Sequence, residues 1–266
     1  MAVTAMHTAA TGMKAQSLGM DVIANNLANV NTTAFKRQQV SFEDMLYQNM
    51  RLAGKTAGEK FVPSGISVGL GTKVSATTRV FAQGSVEVTE RPLDVAIRGL
   101  GFFKLTLPAD VGGGSGYTRA GVFARDGEGN LVTASGYTVE PAITIPSDAT
   151  DVSIRSDGLV LAKLAGATEL TELGQIQLAS FPNPEGLSAY GENIFLATEA
   201  SGSETLANPT ESGMGQLEQG AVENSNVDIV KELVGMIQTQ RAFEVNSQVI
   251  QSANEAMQVV TNLIRF

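Results

Sequence analysis

Cysteine is absent from the 266 residues, which removes disulfides, thiolate metal sites and cysteine nucleophiles together. Tryptophan is absent as well, and the one histidine is His7. A three-histidine zinc site within one chain is thereby excluded, and a Ser-His-Asp triad would have to run through His7. Basic residues are outnumbered: 18 Lys plus Arg stand against 27 Asp plus Glu, a formal charge of −9. That balance repels nucleic-acid phosphate, and no basic run offsets it. No segment approaches the roughly 20 apolar residues that span a bilayer. Residues 1–14 lack the basic start and unbroken apolar stretch of a cleavable secretory signal. The expectation is a soluble chain whose export, if it occurs, does not read a cleaved signal.

Hydrophobic residues make up 43% and charged residues 17%, a composition that supports a packed core. The two ends differ from the middle. From Thr4 to Asn29 there is no proline, and Met6, Met13, Met20 and Leu27 recur every seven residues, with Ala9, Gln16, Ile23 and Val30 three places further on. This spacing predicts an amphipathic helix with a heptad seam. At the other end Ile229, Met236, Phe243, Ile250, Met257 and Ile264 repeat the period without exception. The spacing predicts a helix from about 227 to 264, roughly 57 Å long, capped by Ser225 or Asn226 and with Asp228 in its first turn. Its opposite face is amide and hydroxyl rather than Lys and Glu: Gln238, Gln240, Asn246, Gln248, Gln251, Asn254 and Gln258. Such a face suits burial among other helices without the cost of burying charge. A long helix docked on its own domain is the plainer alternative.

Between the ends, short apolar or β-branched runs at 73–81, 93–97, 102–107, 131–133, 142–145 and 175–181 are separated by glycine-rich turns. The pattern predicts an antiparallel sandwich or barrel. Residues 54–71 show no period and read as a long loop or extended arm. The division is 1–35, an N-terminal helix; 36–73, an arm or connector; 74–220, a central all-β domain; and 221–266, a C-terminal helix. The glycines at 99 and 101 complete no phosphate-loop motif, and Asp126-Gly-Glu-Gly-Asn130 lacks the closing glutamate of a calcium loop; both read as turns. His7 has no partner ligand in the sequence, and no acidic pair stands out for carboxylate catalysis. No catalytic residue, metal or cofactor is expected.

The stretch Asn25, Asn26, Leu27, Ala28, Asn29, followed by Thr32, Phe35, Lys36 and Arg37, ends the first helix in asparagine and threonine. It also resembles the N-N-L-A-N and T-x-x-F-K-R motifs of bacterial flagellar rod and hook proteins, although that family usually has glycine where Ala34 stands. Further motifs follow in family order: Asp94-Val-Ala-Ile-Arg-Gly-Leu-Gly-Phe-Phe103, Tyr117-Thr-Arg-Ala-Gly-Val-Phe123, Gly191-Glu-Asn193, Glu223-Asn-Ser-Asn-Val-Asp228 and Met236-Ile-Gln-Thr-Gln-Arg-Ala-Phe-Glu-Val-Asn246. Length, residues 42–48 and residues 141–146 are most similar to the distal-rod members of that family.

The resemblance implies a non-catalytic subunit of a helical tube that carries motor torque to the hook. It implies terminal helices paired as a coiled coil lining that tube, with the β domain outward. Implied partners are copies of the same chain, proximal rod proteins, the hook protein, the L-ring and P-ring proteins, and the flagellar type III export apparatus. The implied location is the basal body, from periplasm to outer membrane. The arm, with Tyr47, Arg51, Lys55, Lys60 and Phe61 in an otherwise acidic chain, is expected to touch neighbouring subunits. Other axial members (a larger proximal rod or a hook-type protein) and a secreted oligomeric binding module remain alternatives.

Overall fold

The computed structural model describes residues 2–51, 54–55, 61–62, 64–166 and 169–264. It is mixed: an N-terminal helix, a β-rich middle and a C-terminal helix, with the chain divided into two compact units. The first unit holds Met1–Ala28, Gln38–Arg79 and Asp228–Phe266; the second holds Asn29–Arg37 and Val80–Val227.

In the first unit α1 spans Ala2–Ala28 and α2 spans Ile229–Ile264. Alanine, methionine and leucine favour α1, and nothing proline-like interrupts it. At the start of α2 the Asp228 carboxylate accepts hydrogen bonds from the amides of Val230 (3.0 Å) and Lys231 (3.2 Å). These are donors that a helix start leaves without intrahelical partners. The cap is therefore Asp228 rather than Ser225 or Asn226, and the helix begins two residues later than the sequence predicts. The two helices pair antiparallel. Asn26 bonds Glu232 (3.2 Å), Ile23 lies over Gly235, Gly19 faces Thr239, and Gly12 faces Asn246. Gly12 permits this approach, since a Cβ there would stand 3.0 Å from the Asn246 amide nitrogen.

Between the helices in sequence, the chain runs out and back as an antiparallel two-stranded ribbon. β1 (Gln38–Asp44) pairs with β6 (Thr72–Arg79), β2 (Tyr47–Arg51) with β5 (Ile66–Gly69), and β3 (Gly54–Lys55) with β4 (Phe61–Val62). The arm expected from composition is thus paired strand along its described residues, although β2 shows no alternation because all five of its residues are exposed. Gly71, at φ +116°, brings the ribbon against α1; a Cβ there would meet the Thr11 hydroxyl at 2.1 Å. His7 sits at the same crossing, exposed, with its ring nitrogen 3.3 Å from the Leu70 carbonyl.

The second unit is built on a nine-stranded antiparallel sheet whose central strand, Phe102–Thr106, pairs with Ser115–Thr118, Thr138–Glu140 and Leu178–Ser180. Side chains alternate along that strand. Phe103 and Leu105 enter a core with Ile97, Phe123, Val139 and Leu178, while Phe102 turns to an aromatic cluster with Tyr117, Phe181 and Phe195. A three-stranded sheet, Ala149–Ile154, Leu159–Leu164 and Leu170–Gln175, stands beside it. Among the described residues the large sheet stays open at its edges, so no closed barrel forms. The run at 142–145 makes only one isolated bridge, Asn130 to Thr144, although Ile143 and Ile145 are buried. Pro141 and Pro146 bracket it and lack the amide a ladder needs.

Candidate functional site

Three of the motifs read along the sequence converge on one buried carboxylate in the second unit. Glu223 Oε1 accepts hydrogen bonds from Lys36 Nζ (2.6 Å) and from the Gly84 amide (2.9 Å), and Glu223 Oε2 accepts one from Arg119 Nε (2.8 Å). The three side chains are 0%, 0% and 4% exposed for Lys36, Glu223 and Arg119. Lys36 also donates to the Ala82 carbonyl (2.9 Å). Three of the four remaining Arg119 hydrogens go to the carbonyls of Gly99 (2.8 Å), Gly101 (2.9 Å) and Ile97 (3.2 Å). Both glycines hold positive φ, +113° and +128°, which the bend around the guanidinium requires.

Burial pushes the Glu223 carboxyl up, but the charges of Arg119 and Lys36 and the hydrogen bonds from Lys36 and Gly84 outweigh it, leaving it below its ordinary value. Burial dominates at Lys36 and holds its ammonium below the ordinary lysine range despite Glu223. Two buried cations thus share one buried carboxylate. The cluster fastens three distant stretches of chain and offers no reacting group an approach. Neither Arg119 nor Glu223 stood out in the sequence beyond its motif. The signal was a lone charge set among apolar and small residues, in Thr-Arg-Ala-Gly and Ala-Val-Glu.

Next to this cluster, one side chain ties together the places where the chain leaves and rejoins the unit. Asn226 Oδ1 accepts the Arg37 amide (2.7 Å), and Asn226 Nδ2 donates to the carbonyls of Val80 (2.7 Å) and Ala82 (2.9 Å). The Val80 amide donates to the Arg37 carbonyl (2.9 Å), and the Asn226 amide to that of Phe35 (3.3 Å). Ala34 takes the left-handed conformation, φ +58°, without glycine, and its amide donates to the Glu223 carbonyl (2.7 Å). Asn226→Ala leaves one amide and two carbonyls without these partners. It is expected to cost the second unit about 2–3 kcal/mol, read as a lower urea midpoint in the near-UV tyrosine signal, since three of the four tyrosines lie there.

The asparagine motif divides between the units. In the first, Asn26 is buried and copies a strand partner: its Oδ1 accepts the Gln38 amide and its Nδ2 donates to the Gln38 carbonyl, both at 2.9 Å. Asn25 and Ala28 are exposed and Leu27 half-buried. In the second, Asn29, Phe35 and Arg37 are half-buried and Lys36 is buried.

On the helices, Met6, Met13, Met20 and Ile23 are half-buried, as are Met236, Phe243 and Ile250; Ile229 and Met257 are exposed. The side chain of Ile264 lies outside the described residues. Gly12, Gly19 and Asn26, beside the methionine line, face α2 at Asn246, Thr239 and Glu232. A run of large apolar side chains on α2 is left in water: Val230, Leu233, Val234, Ile237, Val245, Val249, Val259 and Val260. On the ribbon Tyr47 and Arg51 are exposed, with Arg51 Nη2 donating to the Ser64 carbonyl (3.3 Å). Lys55 and Phe61 pair through their backbones; their side chains, and Lys60 altogether, lie outside the described residues. Among the described residues no group of three or more His, Cys, Asp or Glu comes together to hold a metal, and no helix is long and apolar enough to cross a membrane.

Comparison with known proteins bears on these arrangements. Residues 6–36 match the family described as flagella basal body rod protein, residues 96–162 the flagellar hook protein FlgE/F/G D1 domain, and residues 218–263 the flagellar basal body rod FlgEFG protein C-terminal. The flagellar basal-body rod protein FlgG of Caulobacter vibrioides is 47% identical over 97% of this chain and 98% of its own length. Its namesake in Borreliella burgdorferi is 46% identical over 98% of both chains, and that of Bacillus subtilis 38% over 98% of both.

Proposed function

Since the chain belongs to the family of flagellar basal-body rod proteins, we propose that it is a structural subunit of the distal rod. Copies assemble into a rigid helical tube that passes motor torque across the periplasm and outer membrane to the hook. The observation that carries this reading is the outward face of α2, where Val230, Val234 and Ile237 are 70%, 49% and 56% exposed on a helix already paired on its other side. A single copy leaves that apolar surface in water; a polymer removes it. In the tube the terminal helices pack as a coiled coil, with Met6, Met13, Met20, Ile23 and Leu27 of α1 and Met236, Phe243 and Ile250 of α2 in the interface. The ends of the tube meet proximal rod and hook proteins, its outside meets the L-ring and P-ring proteins, and subunits arrive through the flagellar type III export apparatus. Raising the concentration of purified protein is expected to give helical tubes in negative-stain micrographs. Discrete small oligomers at every concentration would overturn the reading.

The ribbon supplies stiffness in this proposal. Its exposed Leu46, Tyr47, Met50 and Ile66 and the cation Arg51 reach across to adjacent copies. Each surface contact contributes about 1 kcal/mol or less, but every subunit repeats it. Deleting residues 54–63 is expected to give visibly curved polymers. Deletion polymers as straight as those of the intact chain would remove the ribbon from this role.

A further inference from the structure

The unit that contains both helices carries two apolar surfaces of opposite shape. One is convex: the first nine residues of α2, where Ile229, Val230, Leu233, Val234 and Ile237 are 46%, 70%, 43%, 49% and 56% exposed. Their spacing places them along one face. The other is concave: a largely apolar cavity of about 720 Å³ beside α1, whose wall includes Met13 and Leu18 of α1, Met45 and Val74 of the ribbon and Phe243 of α2, with the charged Lys14, Asp21 and Lys73 also lining it.

These surfaces cannot meet within one copy. Leu233 and Phe243 sit on the same unbroken helix, ten residues and so about 15 Å apart along its axis. The wall and the patch are therefore held at a fixed separation. Each is, however, continuous with the established α1–α2 interface. The patch flanks Gly235, over which Ile23 lies; the cavity is lined by Met13 and Leu18, which fall in sequence between Gly12, facing Asn246, and Gly19, facing Thr239, and by Phe243 of the same α2. A surface that extends a helix–helix seam calls for another helix.

We propose that the Ile229–Ile237 face of one copy seats in the α1–ribbon cavity of a second copy. This rests on the reading of the chain as a self-assembling subunit and names the contact that joins the copies. Because the two surfaces differ, the contact is heterologous. It leaves a free patch at one end and a free cavity at the other, so it propagates instead of closing as a dimer.

The absence of cysteine makes a clean test. Leu18→Cys places a thiol in the cavity and Val230→Cys one on the patch. The antiparallel register sets Leu18 level with Gln240, ten residues along α2 from Val230, or about 15 Å. That is far beyond the Cα separation a disulfide tolerates, at most about 7 Å. Under mild oxidant, assembled double variant is expected to give a ladder of covalent multimers on a non-reducing gel. A mixture of the two single variants is expected to give linked pairs, and neither single variant alone a link. A control double variant, Leu18→Cys with Met257→Cys, is expected to give no ladder. Tubes that form without a ladder, or a ladder equally strong in the control, overturn this contact while leaving the assembly reading intact. Absence of tubes from the unmodified chain overturns both.

Discussion

Glu223→Gln is expected to destabilise the second unit by about 3–5 kcal/mol, whereas Lys36→Met is expected to change it by no more than about 1 kcal/mol. The asymmetry follows from counting charges. Glutamine leaves two buried cations facing each other without an anion, and its amide presents donors where Lys36 and Arg119 already donate. Methionine removes the surplus cation and leaves Arg119 and Glu223 as a neutral pair. Glu223 still holds the Gly84 amide, and a side chain of similar length fills the space. Urea unfolding followed by near-UV tyrosine absorbance compares the two directly; equal losses would mean that the buried charges do not set the stability of this cluster.

The same pair has a pH signature. The folded Glu223 carboxyl lies below its unfolded value, so its contribution is present above the ordinary carboxylate range and is lost as pH falls through the folded value. Lys36 works in the opposite sense from a surface lysine. Its folded value lies below its unfolded one, so the unfolded chain binds more protons in the alkaline range and stability rises with pH there. In the Lys36→Met protein that alkaline rise should disappear while the acid loss remains.

Phe243→Asp is expected to raise the concentration needed for polymerisation by at least about a hundredfold, since about 3 kcal/mol of lost contact corresponds to that factor. Phe243 is half-buried and walls the cavity beside α1. A carboxylate there brings an unpaired charge into a contact that assembly would dry out. The second unit holds no atom of Phe243, so its tyrosine melting curve should stay where it was. Sedimentation beside thermal unfolding checks both halves, and a large fall in that melting temperature with polymer still present would count against the assignment.

The parts of this protein legible in its sequence are those written as periods or punctuation. Two helices announced themselves by seven-residue spacing, and the turns at Gly99, Gly101 and 126–130 by glycine. The small and hydrogen-bonding positions through which α1 meets α2 were less visible. Counting large apolar residues selects Met6, Met13 and Met20, while close helix approach selects what is small, at Gly12 and Gly19, and what can bond, at Asn26. The outer part of the ribbon left no alternation because neither face of β2 is buried, and its order there resides in backbone pairing that side chains do not record. Lys36, Arg119 and Glu223 lie up to 187 positions apart, so only the fold reveals that one carboxylate answers two cations.

The adjacency of Val80 and Asn226, joined by a 2.7 Å hydrogen bond, bears on how such a chain can diversify. Residues 81–225 begin and end at one point, so they form a cassette in the helical framework. A cassette of this kind can lengthen, shorten or be exchanged by recombination while the bases of its two stems stay the same distance apart. What must travel with it is the pair Arg119 and Glu223, because Lys36 lies outside residues 81–225, on the Asn29–Arg37 segment of the same unit, and finds its counter-charge within them. A transplanted cassette lacking that acid would strand a lysine, which makes one buried carboxylate a compatibility mark between framework and insert.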